Sequence, residues 1–185
     1  DVNQPFGITC MIANAAIDDA SGWSDAPTLN YSCMEYYEKA FDFSQTTTAK
    51  LPKGVYQLRV QAFQRPGASA TVYDSYTNGT AIVTSEIYLA SSKQEVMHIA
   101  AEAQKSKLGG TEVSVGSPTR YIPNDMLAAS RYFKNGLYEN VLTMKNRRVQ
   151  TFTLGIRSES RGSMFWTVFD NFRLYYYRSE EHTSE

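Results

Sequence analysis

Hydrophobic and polar side chains alternate along several short segments of this chain. In 54–63, Tyr56, Leu58 and Val60 fall on one face of an extended segment, and polar side chains fall on the other. An alternation with a period of two is typical of half-buried β-strands. The pattern recurs in 150–157 and 166–174, and further strands are predicted at 7–13, 38–48, 86–89 and 140–144. Many short strands separated by turns favour a β-sandwich or a barrel.

The last predicted strand carries one residue that does not fit its face. Trp166, Val168, Phe172 and Leu174 are expected on a single apolar face, with Trp166 in the core, and Asp170 falls among them. A buried carboxylate without a partner is unfavourable. Asp170 therefore needs a cation, an ion pair or a hydrogen bond.

Two segments depart from the strand pattern and predict short helices in loops. Asn124 can cap a helix over 124–135, and Gly136 fits the position just beyond its end. Ser92 and Glu95 form a possible capping box at the start of a second helix. The segment 108–118 is expected to be a loop.

The composition limits the possible functions. The chain has 185 residues, 42% of them hydrophobic, and a formal net charge of −1, as in many globular proteins. This charge balance argues against nucleic-acid binding, and no apolar run approaches the roughly 20 residues that span a membrane. We predict one β-sandwich domain over 1–177. The segment 178–185 resembles the in-frame translation of a common sequencing adapter, and no functional role is assigned to it.

The two cysteines, Cys10 and Cys33, leave the redox setting open. They could form one disulfide in an exported protein, or they could remain as two buried thiols. Their spacing does not decide between these states.

The order of several short motifs resembles a known family. Residues 12–18 read IANAAID and precede Gly22 and Trp23, and residues 166–174 read WTVFDNFRL. These motifs resemble the opening and closing strands of carbohydrate-binding modules with the galactose-binding-like jelly roll. The stretches LPKGVY, QAFQRPG and YIPNDM between them look like a version common in large surface proteins of gut Bacteroidetes. The resemblance implies an all-β, two-sheet jelly-roll β-sandwich in a secreted or bacterial cell-surface protein, beside other domains of the same polypeptide.

The resemblance also implies a structural Ca²⁺ site. In such modules an acidic residue after the first strand and the Asp of the closing strand help to hold the ion. Asp18 and Asp170 match those positions, and Asn14 is a nearby candidate. Ca²⁺ takes about six to eight oxygen ligands. The alternative for Asp170 is an ion pair or a hydrogen bond, for example with Arg173.

A carbohydrate site would combine exposed rings with hydrogen-bonding groups, because a ring face can stack on the apolar face of a pyranose. The candidates are Trp23, Tyr36, Tyr37, Arg65 and Tyr73. Trp23 lies in a polar loop and is expected to be accessible. Tyr36 and Tyr37 are neighbours, so one of them would point outward from a strand. For each ring, packing on the sandwich is the alternative role.

Catalytic motifs find little support in the sequence. The two histidines are His98, in a helix-like pattern, and His182, in the final segment, and zinc-ligand spacings and phosphate loops are missing. We therefore expect a non-catalytic module that binds a glycan. The alternatives are a structural or adhesion spacer without a free-sugar ligand and, third, a glycoside hydrolase with two facing carboxylates.

Overall fold

The structure is a computed structural model that describes residues 4–159 and 162–178. Strands dominate these residues, as the alternation predicts. The strands are β1 (Phe6–Gly7), β2 (Thr28–Asn30), β3 (Cys33–Tyr37), β4 (Phe41–Thr46), β5 (Gly54–Pro66), β6 (Ser85–Leu89), β7 (Ser92–Glu95), β8 (Met97–His98), β9 (Glu112–Val115), β10 (Arg120–Pro123), β11 (Glu139–Asn146), β12 (Thr153–Ser158) and β13 (Phe165–Tyr177). The helices are α1 (Val72–Thr77) and α2 (Met126–Lys134), with 3-10 turns at Thr9–Met11 and Ile99–Glu102.

The strands form two larger sheets and one hairpin. Sheet A has the order β11-β5-β13-β3-β2, with β1 paired to β13 and β8 paired to β5. Sheet B has the order β4-β12-β6-β7. The strands β9 and β10 pair with each other as the hairpin. The prediction of an all-β fold is confirmed at this level, and the arrangement is consistent with a β-sandwich.

A hydrophobic core lies between the two sheets. Leu58 faces it from sheet A, and Phe43 and Ile156 face it from sheet B. The rings of Phe43 and Phe169 are 5.0 Å apart between their centroids, so aromatic side chains of both sheets meet there. Full burial of such a side chain contributes about 1.5–3 kcal/mol. This core therefore fixes which face of each strand points inward.

A second hydrophobic cluster lies on the outer face of sheet A. Phe63 and Trp166 of the sheet pack there with Phe133 of α2, and the ring centroids of Phe63 and Trp166 are 5.4 Å apart. Gln61, also on this face, donates from its side-chain nitrogen to the backbone oxygen of Phe133 at 2.7 Å. Sheet A is thus covered on its outer side over part of its area.

A β-bulge changes the face that the closing strand presents. The pairing of β13 with β5 shifts in register after Asp170, and Asn171 has a φ of +59°. Trp166 precedes the bulge and belongs to the outer cluster, whereas Phe172 and Leu174 follow it and belong to the core between the sheets. The prediction of one apolar face along 166–174 is wrong, because the extra residue reverses the alternation.

The helix predictions have different outcomes. The helix predicted at 124–135 is confirmed as α2, although Asp125 caps it in place of Asn124. The helix predicted after Ser92 is wrong, because 92–95 forms strand β7 beside β6. In the strand predicted at 7–13, only Gly7 belongs to a strand and Thr9–Met11 form a 3-10 turn, and the expected loop 108–118 contains β9. None of the helices within the described ranges has the length and hydrophobicity of a membrane crossing.

Candidate functional site

An open cleft lies on the outer face of sheet A, beside the start of α2. Its volume is about 710 Å³. Strands β3, β5 and β13 contribute side chains to it, and so do the turn between β2 and β3 and the first residues of α2. The lining includes Tyr31, Glu35, Tyr37, Arg65, Asn124, Asp125 and Trp166. Two of the predicted carbohydrate-binding residues, Tyr37 and Arg65, are therefore brought together.

Tyr31 occupies the tip of the hairpin that joins β2 and β3. Asn30 pairs with Cys33, which leaves Tyr31 and Ser32 as a two-residue turn with φ values of +53° and +62°. Such a turn usually contains Asn or Gly, because other residues adopt positive φ at a cost of about 1 kcal/mol or more. The Tyr31 side chain is 59% exposed. The turn therefore presents an aromatic ring to solvent at the rim of the cleft.

Strand β3 places Tyr36 and Tyr37 on opposite faces. Tyr37 is 50% exposed and lines the cleft. Tyr36 points into the core, where it stacks on Phe41 at a centroid distance of 4.0 Å and donates to Asp25 at 2.7 Å. Burial, together with this hydrogen bond, raises the pKa of Tyr36, and the same bond lowers the pKa of Asp25. One ring of the pair points outward, as predicted, and Tyr36 is not accessible to a ligand.

Arg65 is held in place from several sides. Its guanidinium carbon is 5.1 Å from the ring centroid of Trp166. Its nitrogens donate to the backbone oxygen of Gly67 at 2.9 Å, to Asn124 Oδ1 at 3.1 Å and to the backbone oxygen of Met164 at 3.3 Å. These contacts give the cation a fixed position in the cleft wall. Because three of its donors already have partners, Arg65 orders the cleft as well as carrying charge.

Trp166 and Glu35 form the polar part of the cleft floor. Trp166 is 4% exposed, so the prediction that it is buried is confirmed, although it packs outside the inter-sheet core. Its ring nitrogen Nε1 donates to a carboxylate oxygen of Glu35. Since the indole has one donor, this bond satisfies it and orients the Glu35 carboxylate within the cleft.

The carboxylate of Asp125 accepts hydrogen bonds from the backbone of α2 and from the backbone just before β9. Its Oδ1 accepts from the amide of Ala128 at 2.8 Å, and its Oδ2 accepts from the amide of Thr111 at 3.1 Å. Both carboxylate oxygens therefore have donors, as is typical of a helix cap. This arrangement fixes the start of α2, and with it the position of Asn124.

Trp23 lies in the core, so the expectation that it is accessible is wrong. It is 9% exposed and stacks on Phe43 at a centroid distance of 4.3 Å. A second ring, Phe172, lies 4.7 Å away. Its Nε1 donates to the backbone oxygen of Asn14 at 3.2 Å. Trp23 therefore belongs to the core between the sheets and presents no ring face to a ligand.

Tyr73 lies outside the cleft lining, although we predicted it as a binding residue. It is partly buried in α1 and packs against the outer cluster. An added Cβ at Gly116 would come within 2.3 Å of its ring atom Cε1, so Gly116 and Tyr73 are in close contact. The described position favours packing over ligand contact.

The predicted metal ligands lie near the bulge of β13. Asp170 is half-buried, and burial is the main cause that raises its pKa to about 7. The negative charge of Asp18 raises that pKa further, so the two carboxylates are close enough to repel each other. Asn14 has φ +46°, and its side-chain nitrogen donates to the backbone oxygen of Ser21. Among the residues described, no group of three or more His, Cys, Asp or Glu side chains is arranged to bind a metal.

Sequence reasoning missed Tyr31, Glu35 and Asn124 as members of the cleft. Tyr31 had no visible signal, because its turn lacks the Asn-Gly pair that usually marks a tight hairpin. Glu35 alternates with Met34 and Tyr36, a pattern that could have placed it beside Tyr37 had β3 been recognised. Asn124 was assigned to the cap, which Asp125 provides.

Comparisons with known proteins do not identify this chain. It matches no protein-family model, and neither the curated proteins nor the solved structures contain a significant match to it.

Proposed function

We propose that this chain is a non-catalytic carbohydrate-binding module of a larger secreted or surface-attached bacterial protein. The observation that carries the proposal is the rim of the cleft, where the exposed rings of Tyr31 and Tyr37 lie beside the polar groups of Glu35 and Arg65. Sugar rings have apolar faces that pack on aromatic rings, and their hydroxyls need fixed hydrogen-bond partners. The cleft offers both kinds of contact on one surface.

The arrangement suggests how a glycan would bind. One pyranose would stack on Tyr37, and the neighbouring unit would contact Tyr31 on the turn. The carboxylate of Glu35 would accept from a hydroxyl, and the remaining guanidinium hydrogens of Arg65 would donate to ring or hydroxyl oxygens. A contact of this size gives micromolar to millimolar affinity, about 4–8 kcal/mol.

The test is glycan binding by matched tyrosine variants. A glycan array on the whole chain would identify a ligand, and calorimetry would then compare Tyr37→Ala and Tyr31→Ala with Tyr76→Ala. Tyr76 is 41% exposed and lies outside the cleft lining, so it is the matched control. We expect each cleft variant to weaken binding at least about fivefold, a loss of one ring contact, and the control to bind normally. Unchanged binding by both cleft variants would refute the site.

The galactose-binding-like jelly roll is part of the proposal. It is supported by the pairing of the first segment with the closing strand: Phe6 pairs with Tyr176, and the amide of Ile8 donates to the backbone oxygen of Leu174 at 2.9 Å. In the family that the sequence resembles, the first and last strands also run near each other. A crystal structure of this chain, compared strand by strand with modules of that family, would test the connectivity.

Calcium binding near the bulge is a further part of the proposal. The repulsion between Asp18 and Asp170 fits a cation, because two close carboxylates are favourable only when a positive charge offsets them. Asn14 fits less well: its backbone oxygen already accepts from Ile17 and Trp23, which leaves its side-chain oxygen. The remaining ligands would be backbone oxygens and water. A melting temperature that is higher in CaCl₂ than in EDTA for the wild type, but not for Asp170→Asn, would support the site. The same melting temperature of the wild type in CaCl₂ and in EDTA would reject it.

The assignment as non-catalytic is supported by the state of the cleft carboxylates. Glycoside hydrolysis needs one carboxylic acid that donates a proton and one free carboxylate. Asp125 accepts two backbone hydrogen bonds, a role that keeps it as an acceptor. Incubation with the array-positive glycan should release no reducing ends. Release that is lost in Glu35→Gln would favour the hydrolase.

A spacer or adhesion role without a sugar ligand is the second candidate. The burial of Trp23 and Tyr36 favours it, because two of the rings predicted to bind sugar instead pack in the core. In that case no glycan on the array would bind the chain, and the cleft variants would leave its stability unchanged. A positive array with a loss in Tyr37→Ala would exclude this role.

A further inference from the structure

The outer face of sheet A has a second, uncovered part beyond α2. The outward side chains of β13, β5 and β11 form cross-strand rows there. One row joins Tyr175, Gln57 and Thr143, and the next joins Arg173, Arg59 and Val141. These side chains are exposed or half-buried, in contrast to the inward residues between them. The rows therefore form a flat surface across three strands, separate from the cleft.

Two arginines lie directly opposite each other on this surface. Arg59 of β5 pairs in register with Arg173 of β13. Glu139 forms an ion pair with Arg173, whereas Arg59 has no ion-pair partner within 4–159 and 162–178. The two guanidinium groups point in opposite directions along the strands, that of Arg59 toward Gln57 and that of Arg173 toward Asn171, so Arg59 remains as a cation without an ion-pair partner among these residues.

The guanidinium group of Arg59 is held in a fixed orientation. Its carbon lies 4.4 Å from the ring centroid of Tyr175, and its Nε donates to Gln57 Oε1 at 2.7 Å. Gln57 also accepts from the hydroxyl of Tyr177 at 3.4 Å. Lys145 adds a further exposed cation, since it pairs with Val55 on the same face. A preorganised cation beside tyrosine rings is suited to bind an anion with little loss of side-chain entropy.

We infer that this surface, the Arg59 face, binds an acidic polysaccharide. The carboxylate or sulfate of one sugar unit would lie at the guanidinium of Arg59, on the side of the face that also carries Lys145. The row of Tyr175, Gln57 and Thr143 would contact the neighbouring unit through the hydroxyl and amide groups of these side chains. The inference does not depend on the cleft, because the two surfaces share no residue. The Arg59 face is thus a local cationic patch on a protein whose net charge is −1.

The experiment is affinity electrophoresis of the whole chain in gels that contain polygalacturonate, dextran sulfate or neutral dextran. We expect retardation in one or both anionic gels and none in dextran. Arg59→Gln should weaken the retarding interaction about tenfold, as expected for the loss of one charge-assisted hydrogen-bonded contact. The polygalacturonate and dextran sulfate arms distinguish a uronate from a sulfate ligand.

The matched control is Arg157→Gln on sheet B. Arg157 also stacks on a tyrosine, with its guanidinium carbon 4.0 Å from the ring of Tyr88, and the substitution removes the same charge. Equal weakening by both variants would show nonspecific attraction and overturn the inference. Absence of retardation in both anionic gels would also overturn it. Binding of anionic lipid vesicles in place of either polymer, lost in Arg59→Gln, would assign the face to a membrane surface and reject the polysaccharide.

The cleft variant Tyr37→Ala separates the two proposals. Retardation by the acidic polymers should be unchanged in this variant, because Tyr37 lies outside the Arg59 face. If Tyr37→Ala lost binding to the acidic polymers while Arg59→Gln retained it, those polymers would occupy the cleft, and the Arg59 face would not be a binding site.

Discussion

Arg65 lies against the indole of Trp166 and at the same time donates to Asn124, so one side chain joins strands β5 and β13 to the start of α2. This contact fixes the distance between the floor of the cleft and its wall. A cleft built from three elements would otherwise depend on loop positions alone. The stacked cation is therefore the main support of the proposed binding geometry.

Replacement of Arg65 should affect both stability and binding. Arg65→Ala removes three hydrogen bonds, two of them to half-buried residues, so we expect the free energy of unfolding to fall by about 1–3 kcal/mol. Arg65→Lys should not restore binding, because an ammonium lacks the planar fork that reaches Gly67, Asn124 and Met164 together. Urea unfolding and calorimetry would measure the two effects. Arg157→Ala is the control, and equal loss of binding in that variant would contradict the role of Arg65.

Trp23→Ala should unfold the protein readily. The indole is buried between Phe43 and Phe172, and truncation of a large aromatic core residue costs about 3–5 kcal/mol. Exposed Tyr37→Ala should change stability by less than about 0.5 kcal/mol. Chemical denaturation of both variants would measure the difference. Nearly equal stability of the two variants would indicate that Trp23 is exposed in solution.

The stability of the protein should depend on the ionisation of Asp170. Its pKa is raised to about 7 in the folded state from a reference value of 3.8, so the folded state binds a proton that the unfolded state releases between these values. Stability is then highest below pH 3.8 as far as this group is concerned, and it falls as the pH rises through 7. Urea midpoints from pH 4 to pH 8 in EDTA would show the decline.

Asp170→Asn should remove that decline and stabilise the protein at pH 8. An amide has no ionised form, so the cost of the buried charge disappears. The exposed Asp74→Asn serves as the control for charge removal elsewhere. A pH profile that is the same in the wild type and in Asp170→Asn would contradict the assignment of the slope to this carboxyl group.

The two cysteines should differ in their reactivity. The structure has Cys10 as an exposed free thiol and Cys33 as a buried one, and burial raises the pKa of Cys33 to about 12. A thiol reagent such as Ellman's reagent should therefore modify one group in the folded protein and two after denaturation, since the thiolate is the reactive form. Cys10→Ser should abolish the fast reaction. If neither thiol reacts even in denaturant without reductant, the pair is oxidised to a disulfide.

The sequence predicts regular strands well and tertiary contacts poorly, for physical reasons. The alternation in β5 holds through Ala62, because the inward side chains up to that point face one core, and the strand prediction ends only three residues short of Pro66. The bulge after Asp170 has no local signal in the sequence. Apolar residues stand on both sides of it, and nothing in their type shows which of the two clusters each one joins. Trp23 lies among Ser and Asp residues in the sequence. It is buried because it packs on Phe43, which is distant in sequence. Local polarity does not report such contacts.

Strand β7 illustrates a different limit. Ser92 to Glu95 has the composition of a helix start, and the capping pattern is satisfied in sequence. In the fold the segment pairs with β6 at the edge of sheet B, where charged side chains can face solvent. Tertiary pairing outweighs the local preference, which amounts to about 1 kcal/mol.

The bulge in β13 ties the cleft to the rest of the molecule. Trp166 and Val168 before it pack in the outer cluster, and Phe172 and Leu174 after it pack between the sheets, so one continuous strand is shared by both hydrophobic clusters. Loss of strand structure in one cluster would disrupt the strand in the other cluster. The two clusters should therefore unfold as a single cooperative unit. Deletion of residue 171 would exchange buried and solvent-facing positions along half of the strand. The length of this segment, and not only its composition, therefore specifies the fold.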